Sequence, residues 1–288
     1  MKTDCLWITE LLKDVNTKKY EVRCIRKMKI LFWNTHGNNS INNYVESLTV
    51  DFDVDILVLA EYKGNKEELK NKLRTNGLIN RNTIGCDRIE LWSSYVDVEQ
   101  GLQDPYYSIQ IIKNEYVLCC VHLPSDLYGD YSEERFGIIQ QMMQEIQKTE
   151  ESVQTKKTII IGDMNEMPYA KGCLNANAMH GLPVLDTLDK DTRKVSKTPY
   201  RKFYNPMWNF FGDFNYPPGT YYLSDSKMAS PMWYMLDQVI ISKDVLPLFQ
   251  KEKLQIVTKC TYSSLASSNG RPNIKISDHF PIICEISE

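Results

Sequence analysis

Residues 158–168, TIIIGDMNEMP, join an apolar run to a group of polar residues at the point where the run ends. A short, uninterrupted apolar run is typical of a strand that is buried on both faces of its sheet. Asp163 and Asn165 follow the run, so the strand would carry a carboxylate and an amide to the edge of the sheet. The stretch therefore predicts a central strand that ends at a polar site.

The same arrangement recurs at four other places in the chain. The segments are KILFWNTHG (29–37), DILVLAEYKG (55–64), VLCCVHLPSD (117–126) and SDHFPIICEIS (277–287). At the start or end of these apolar runs stand Asn34, Glu61, His122, Asp278 and His279. Because packed sheets bring the ends of distant strands to one edge, we expect these side chains to lie close to Asp163.

Length and composition limit the class of protein. The chain has 288 residues, of which 42% are hydrophobic, and this suits one large domain. A net charge of −3 excludes a uniformly basic surface, so nucleic-acid binding would have to use local patches. No apolar run approaches the ~18 residues of a transmembrane segment, and the N-terminus lacks the apolar stretch of a signal peptide. We expect a cytoplasmic protein with reduced thiols, in which Cys119 and Cys120 are small core residues.

Apolar periodicity predicts strands that alternate with helices. Buried strands are expected at 28–34, 55–60, 117–123, 157–162, 236–242 and 280–286, and outer strands at 88–96 and 106–113. Helical patterns lie at 41–50, 65–76, 131–149 and 168–179. Short loops join several strand pairs, as in the hairpin 106–123. The mixture favours an α/β fold in which two mixed β-sheets pack face to face with helices outside.

Two segments fall outside this pattern. Residues 1–27 form an N-terminal extension, in which 4–16 have an amphipathic helical pattern that could pack on the domain or bind a partner. Residues 28–288 form a single domain with an aromatic and basic insertion at about 190–234. Twelve aromatic residues lie between Tyr200 and Tyr234, which is too many for an ordinary connection.

The polar residues at the strand ends suit a divalent metal ion. Glu61, Asp163 and Asp278 offer carboxylate oxygens, and Asn34 and Asn165 offer amide oxygens. Mg²⁺ and Mn²⁺ prefer such oxygen ligands and keep open positions for water and phosphate. An acid such as Glu61, taken alone, is equally consistent with an ordinary loop.

Two of the four histidines stand where a catalytic base would. His122 ends one apolar run and His279 begins another, near acids. Asp237, at the head of the run LDQVIIS, is placed to orient a histidine base. A buried histidine is more often a core residue whose hydrogen bonds are satisfied. This alternative stays open for His122 and for His279 when each is considered alone. We expect His36 to belong to a loop and His180 to be structural.

The ordered motifs WNTHG, LAEYKG, VHLPS, GDMNEMP, LDQVIIS and SDHFP resemble those of the endonuclease/exonuclease/phosphatase superfamily. The resemblance runs from about Met28 to Ile286. It implies a four-layer α/β sandwich and hydrolysis of a phosphate ester by in-line attack of an activated water. It also implies Mg²⁺ as the cofactor, with Mn²⁺ as a substitute.

The resemblance implies a role for each matching residue. The implied metal-site residues are Asn34, Glu61 and Asp278, the glutamate being the direct ligand. The implied catalytic residues are His122, Asp163, Asn165, Asp237 and His279. Among them Asp163 orients the attacking water, and Asp237 orients His279, the general base. Asn165 contacts the phosphate, and His122 binds the scissile phosphate or protonates the leaving oxygen.

The substrate is less closely defined than the reaction. Leu236-Asp237-Gln238 replaces the tryptophan-cysteine-aspartate-arginine signature of inositol phosphatases, which favours a nuclease acting on DNA, RNA or a nucleotide. In the insertion, the candidate substrate-binding residues are Arg201, Lys202, Tyr204 and Trp208, through base stacking and phosphate contacts. The insertion could instead form a small satellite core or a lipid-facing loop. The alternative functions are a phosphoesterase acting on an inositol-phosphate or sphingomyelin type of substrate, and a non-catalytic binding protein.

Overall fold

The computed structural model describes residues 27–126, 129–212, 214–223 and 233–287. Almost all of the predicted N-terminal extension, including the helical pattern at 4–16, lies outside the described residues. No helix in the described ranges is long and apolar enough to cross a membrane.

Seventeen strands and four α-helices are described. The strands are β1 (Lys27–Asn34), β2 (Ile56–Ala60), β3 (Ile79–Arg81), β4 (Ile89–Ser93), β5 (Val98–Asp104), β6 (Tyr107–Ile112), β7 (Tyr116–His122), β8 (Lys157–Asp163), β9 (Gly181–Leu182), β10 (Thr192–Val195), β11 (Thr198–Arg201), β12 (Phe203–Tyr204), β13 (Tyr221–Tyr222), β14 (Trp233–Tyr234), β15 (Asp237–Ser242), β16 (Gln255–Ile256) and β17 (Ile282–Ser287). The helices are α1 (Asn42–Phe52), α2 (Lys66–Arg74), α3 (Ser132–Val153) and α4 (Lys171–Leu174). Short 3₁₀ helices lie at Leu185–Leu188, Pro206–Phe210, Lys243–Val245 and Lys251–Lys253.

Most strands belong to two mixed sheets. The six-stranded sheet has the order β16-β17-β1-β2-β4-β3, and the seven-stranded sheet has the order β5-β6-β7-β8-β15-β12-β9. One apolar core joins the two sheets through residues such as Phe32, Val58 and Ile161. A second core lies between the seven-stranded sheet and α3 and includes Ile139 and Ile160. The predicted α/β sandwich of two packed sheets with outer helices is confirmed.

The adjacent cysteines show how one strand serves both cores. Successive side chains on a strand point to opposite faces of the sheet. Cys119 of β7 therefore packs in the core beneath α3, whereas Cys120 packs in the core between the sheets. Both side chains are fully buried, as predicted. Six cysteines lie in the described residues, and all six are free thiols.

The pairing of the strands brings several strand ends to one edge. β1 runs parallel to β2, and β7 runs parallel to β8, so their carboxyl ends point the same way. β15 runs antiparallel to β8, and its first residue, Asp237, pairs with Asp163, the last residue of β8. His122, the last residue of β7, also pairs with Asp163. The register alone thus places three predicted site residues side by side.

Two predictions of local structure were wrong. The helix expected at 168–179 shrinks to the four residues of α4, because Pro168 precedes it and the asparagines Asn175 and Asn177 favour turns. The expected outer strand at 106–113 is not an edge strand, since the unpredicted β5 lies outside it. In β5 the exposed residues are mostly charged or amide side chains, which carry little apolar periodicity.

Candidate active site

Seven of the predicted residues meet at one end of the two sheets. Asn34 ends β1, Glu61 follows β2, His122 ends β7, and Asp163 ends β8. Asp237, Asp278 and His279 reach the same place from β15 and from the segment before β17. The cluster therefore draws side chains from both sheets.

A buried histidine–carboxylate pair occupies the centre of the cluster. His279 Nδ1 lies 2.8 Å from Asp237 Oδ2, and Asp237 is fully buried. The backbone N–H of Asp237 donates to the hydroxyl of Thr220 at 3.1 Å. With Nδ1 turned to Asp237, His279 Nε2 lies 3.9 Å from carboxylate oxygens of both Asp163 and Asp278. The pair thus presents one imidazole nitrogen to two further acids.

The surrounding acids control the protonation of this pair. Burial by itself lowers the pKa of His279, but the negative charges of Asp237, Asp163 and Asp278 outweigh burial and raise the pKa to about 10. Burial raises the pKa of Asp237, and its contact with His279 opposes that rise. The imidazole is therefore a stronger base in this site than a histidine in water.

A second group surrounds the carboxylate of Glu61. His122 Nε2 lies 3.2 Å from Glu61 Oε1, and Asn34 Nδ2 donates to the same oxygen at 3.3 Å. Asn34 Nδ2 also donates to Asp163 Oδ2 at 3.0 Å, while its carbonyl oxygen accepts from the His36 N–H. Asn34 thus turns its nitrogen, and not the expected ligand oxygen, toward the acids. It connects Glu61 to Asp163.

The hydrogen bond from His122 is the main reason that the pKa of Glu61 falls to about 2. Burial of the carboxyl group works in the opposite direction, and the charge of His279 adds a smaller lowering effect. Glu61 therefore carries a negative charge throughout the physiological pH range. Its side chain keeps 40% of its area exposed, so that a cation from solvent can reach it.

The backbone is in the left-handed region at two of these positions. Glu61 has φ of 51° and Asn165 has φ of 48°. Such a conformation is common for asparagine but costly for glutamate, and costly conformations collect at functional sites. Asn165 is held by its N–H to Asp163 Oδ1 at 2.9 Å and by its Nδ2 to the Leu123 carbonyl at 2.9 Å. These bonds tie the loops after β7 and β8 together.

The buried acids fit a divalent metal ion. Asp163, Asp237 and His279 offer ligand atoms that all lie within 4.8 Å of one another. Asp237 Oδ1 is buried and has no hydrogen-bond partner in the described part of the chain. An unpartnered buried carboxylate oxygen is costly unless a cation or water satisfies it. This group differs from the predicted ligand set of Glu61 and Asp278, although both of those acids line the same site.

The insertion residues do not all join the cluster. Arg201 and Lys202 lie beside the opposite end of the seven-stranded sheet, where Arg201 bonds Glu150 and the Lys156 carbonyl, and Lys202 bonds the Thr187 carbonyl. They lie away from the cluster because the antiparallel pairing of β12 with β15 leads residues 201 and 202 past Ser242 and away from Asp237.

The two aromatic candidates also have different environments. Tyr204 is 4% exposed and pairs with Ile241 within the sheet, so its ring is not open to a base. Trp208 is half-buried and forms an aromatic trio with Tyr169 and Phe211, with ring centroids 5.9–6.3 Å apart. Tyr169 follows Asp163 by six residues and is 58% exposed. Trp208 therefore packs against the segment that follows Asp163.

Two further residues, Tyr221 and His36, lie at the site but were not among the predicted site residues. Tyr221 forms a bridge with His279, and their ring centroids lie 4.9 Å apart. Burial, followed by the charges of Asp278 and Asp163, raises the pKa of Tyr221 to about 12. His36, which we expected to be a simple loop residue, has Nδ1 3.1 Å from Asp278 Oδ1. The aromatic density of the insertion was the available signal for Tyr221.

A buried arginine contacts two of the loops that carry residues of the site. Arg135 of α3 is 3% exposed and donates to Asp126 through both terminal nitrogens, at 3.0 and 2.8 Å. It also donates to the Pro124 carbonyl, and its Nε lies 3.7 Å from Glu166. Arg135 thus joins the loop after His122 to the loop after Asp163.

Several solved structures of other proteins are similar to this one. No protein-family model and no curated protein matches the sequence. The solved structures that match include a variant of the 3′ phosphatase NExo from Neisseria bound to product DNA hairpin, with 16% identity and a TM-score of 0.56 over 90% of this chain and 99% of that chain. The human Nocturnin catalytic domain with bound sulfate gives 13% identity and a TM-score of 0.56 over 90% and 93%. An AP endonuclease from Archaeoglobus fulgidus gives 14% and 0.54 over 89% and 98%.

The chain has the endonuclease/exonuclease/phosphatase fold. In each of these three matches the shared region covers about nine-tenths of this chain, so both sheets take part in the likeness. The predicted fold resemblance is thereby confirmed from structure, although the identities are low.

Proposed function

We propose that the chain is a metal-dependent phosphodiesterase, and specifically a nuclease that hydrolyses DNA or RNA. The observation that carries the proposal is the convergence of Glu61, Asp163, Asp278 and the Asp237–His279 pair at one edge of the fold. Acids that could hold a metal, beside an oriented imidazole, are the groups that hydrolysis of a phosphate ester needs.

Mg²⁺ is the proposed cofactor, with Mn²⁺ as a substitute. Glu61 and Asp278 would hold the ion, and Asn34 would keep Glu61 in place through the bond from its Nδ2. When bound, the ion neutralises negative charge on the phosphate as the substrate reacts. The hard carboxylate oxygens of the site support this choice of metal.

The remaining residues would activate water and bind phosphate. Asp237 holds the ring of His279 with Nε2 toward Asp163 and Asp278. The charge of a bound cation would lower the pKa of His279, so that the neutral ring could take a proton from the attacking water, which Asp163 would orient. His122 and Asn165 would contact the scissile phosphate. Both lie on the loops that flank Asp163, and this position supports that role.

The matched structures support a nucleic-acid substrate. One of them is a 3′ phosphatase bound to product DNA hairpin, and another is an AP endonuclease. A 3′ phosphatase removes a phosphate from a strand end, whereas an endonuclease cuts within a strand, so the fold permits both outcomes. The test therefore also includes small-molecule and lipid phosphates as alternative substrates.

The test is a panel of substrates with Mg²⁺ or Mn²⁺. It includes single- and double-stranded DNA, RNA, a generic phosphodiester, inositol phosphates and sphingomyelin. We expect nucleic-acid cleavage, and at least ~100-fold lower turnover in Asp163→Asn and in His279→Ala. Asp244→Asn is the matched control, because Asp244 is an exposed acid away from the cluster. Hydrolysis of a small-molecule or lipid phosphate alone, or no hydrolysis by folded protein, would overturn the nuclease proposal.

A further inference from the structure

A basic pocket lies outside the candidate active site, beside the β10–β11 hairpin. Its volume is about 610 Å³. Four cationic residues line it, Lys190, Arg193, Lys194 and Lys202, together with the hydroxyl-bearing Thr187 and Thr192. Cations and hydroxyl groups that converge on one cavity are the donors that proteins use to bind phosphate.

The charges of this pocket are largely unbalanced. Lys202 is 5% exposed, and its Nζ lies 3.4 Å from Asp189, the one acid paired with a lining residue in the described part of the chain. Within that same part, the side chains of Arg193 and Lys194 form no salt bridge, and the charge of Lys190 acts on the same Asp189 that pairs with Lys202. Lys190, Arg193 and Lys194 are all exposed. The nearby Asp191 is already engaged with Lys156 and Arg201. The cavity thus keeps a net positive charge.

The strand register gives the approximate distance between the pocket and the catalytic cluster. Tyr204 of β12 pairs with Ile241, which is four residues, or about 13 Å, along β15 from Asp237. The pocket lies beyond β12, so it is roughly 15–20 Å from the cluster. At the ~3.4 Å per nucleotide of a stacked strand, this distance corresponds to about five nucleotides.

The aromatic trio of Tyr169, Trp208 and Phe211 lies between the two sites. Asn205, just after β12, donates to Gln238 at 2.7 Å, beside Asp237. The 3₁₀ helix that carries Trp208 begins at the next residue. On the other side, Gln238 donates to the carbonyl of Glu166, which anchors the loop that carries Tyr169. The trio therefore stands on the cluster side of β12, and the basic pocket stands on its far side.

We propose that the basic pocket binds backbone phosphates of a single nucleic-acid strand whose scissile phosphate occupies the catalytic cluster. The strand passes over the aromatic trio, where bases stack on the exposed ring of Tyr169 and on Trp208. This inference rests on the proposed nuclease function and names its substrate as an extended single strand. It also explains why the basic hairpin has few acids facing it.

The first experiment measures binding of fluorescent single-stranded oligonucleotides to the full chain carrying Asp163→Asn, so that nothing is cleaved. The test variant adds Lys190→Gln, Arg193→Gln and Lys194→Gln. The matched control instead adds Lys197→Gln, Lys251→Gln and Lys253→Gln, three exposed lysines that do not line the pocket. We expect at least ~10-fold weaker binding of a twelve-nucleotide strand only in the test variant. We also expect its salt slope to fall by about 2, for three lost phosphate contacts.

Three results would overturn the proposal, and one of them separates it from the proposed function. Equal loss in the test and control variants would indicate a diffuse effect of charge. Inorganic pyrophosphate that binds as tightly as the strand would make the pocket a site for small anions. Unchanged strand affinity, in a protein whose unsubstituted form hydrolyses a generic phosphodiester, would reject the pocket and leave the nuclease function standing. If that form hydrolyses nothing, the nuclease function fails, while oligonucleotide binding still reports on the pocket.

The trio is tested by Trp208→Ala in the same binding assay. Base stacking on an aromatic side chain strengthens the binding of single strands, so we expect roughly tenfold weaker binding of the twelve-nucleotide strand. Trp208→Phe keeps an aromatic face and should restore most of the affinity. Unchanged affinity with a lowered melting temperature would make Trp208 a purely structural residue and remove the trio from the path.

Discussion

In the Asp237–His279 pair of the candidate site, the pKa of His279 lies well above the ordinary value of a histidine. Burial favours a neutral imidazole, yet three carboxylates around His279 raise its pKa to about 10. Among the three carboxylates, Asp237 contributes the largest charge effect to this rise in pKa. The behaviour of His279 therefore depends on one buried acid that touches it at 2.8 Å.

Asp237→Asn should lower the pKa of His279 below about 10. The substitution removes the strongest negative charge while burial, which lowers the pKa, remains. The measurement is an NMR titration of the histidine ring protons in the metal-free protein, where only four histidines need assignment. Asp244→Asn should leave the titration unchanged. A His279 pKa that stays near 10 in Asp237→Asn would show that Asp163 and Asp278 carry the effect.

The backbone of Glu61 predicts a difference between two truncations. Both Glu61→Ala and Glu61→Gly remove the carboxylate, but only glycine adopts φ near 51° without steric cost. We expect Glu61→Gly to have a free energy of unfolding about 1 kcal/mol higher than Glu61→Ala, measured by urea denaturation without metal. Both should be inactive. An alanine variant as stable as the glycine variant would mean that the backbone relaxes at residue 61.

The sequence predicted the residues of the site better than their individual contacts. Asn34, Glu61, His122 and Asp163 were recognisable because each directly follows a buried apolar run, and strand ends meet at the edge of a sheet. The amide orientation of Asn34 depends on the N–H of His36, which no spacing rule reveals. The distance of Lys202 from the cluster could not be predicted, because only strand pairing shows in which direction a short strand runs.

At the scale of elements, β7 and β8 position His122 beside Asp163. Gly162, just before Asp163, pairs with Val121. A Cβ added to Gly162 would lie 2.0 Å from the backbone oxygen of Val121, closer than two such atoms can approach. Glycine is therefore required where the two strands come together immediately before Asp163.

Gly162→Ala should force these strands apart. We expect a loss of stability of about 1–3 kcal/mol, which corresponds to a drop of several degrees in melting temperature. Activity should fall further than stability explains, because the separation of His122 from Asp163 changes. Gly137→Ala in α3 is the control, since nothing lies within 4 Å of its added Cβ and alanine favours a helix. A Gly162→Ala protein with normal stability would contradict the close approach.

The elements also show what periodicity can and cannot predict. Uninterrupted apolar runs identified β1, β2, β7, β8, β15 and β17, because these strands are buried on both faces. By contrast, β5 is an exposed edge strand with little apolar periodicity, and the two-residue strands β9 and β12 are too short to leave a pattern. Their positions depend on contacts between distant parts of the chain.

At the scale of the whole molecule, the site exists only when both sheets are assembled. Glu61 and Asp278 come from segments of the six-stranded sheet, whereas Asp163 and Asp237 come from the seven-stranded sheet. Folding thus gathers four carboxylates around one positively charged histidine, and their mutual repulsion opposes the packing of the sheets. A cation bound between them would stabilise the folded molecule as a whole. The sequence anticipated this arrangement of strand ends, but the cytoplasmic location and the metal remain predictions.

Metal removal should therefore destabilise the entire fold. A ligand that binds only the folded state at 100 times its Kd adds about 2.7 kcal/mol, which for a chain of this size is about 5–10 °C in melting temperature. We expect a shift of this size when EDTA replaces saturating Mg²⁺ in thermal denaturation followed by circular dichroism. The variant Glu61→Gln/Asp278→Asn should lose the shift, whereas Asp186→Asn/Asp244→Asn, two exposed acids elsewhere, should keep it. An equal shift in both variants would place the stabilising cation outside the cluster, and the proposed metal site would then be wrong.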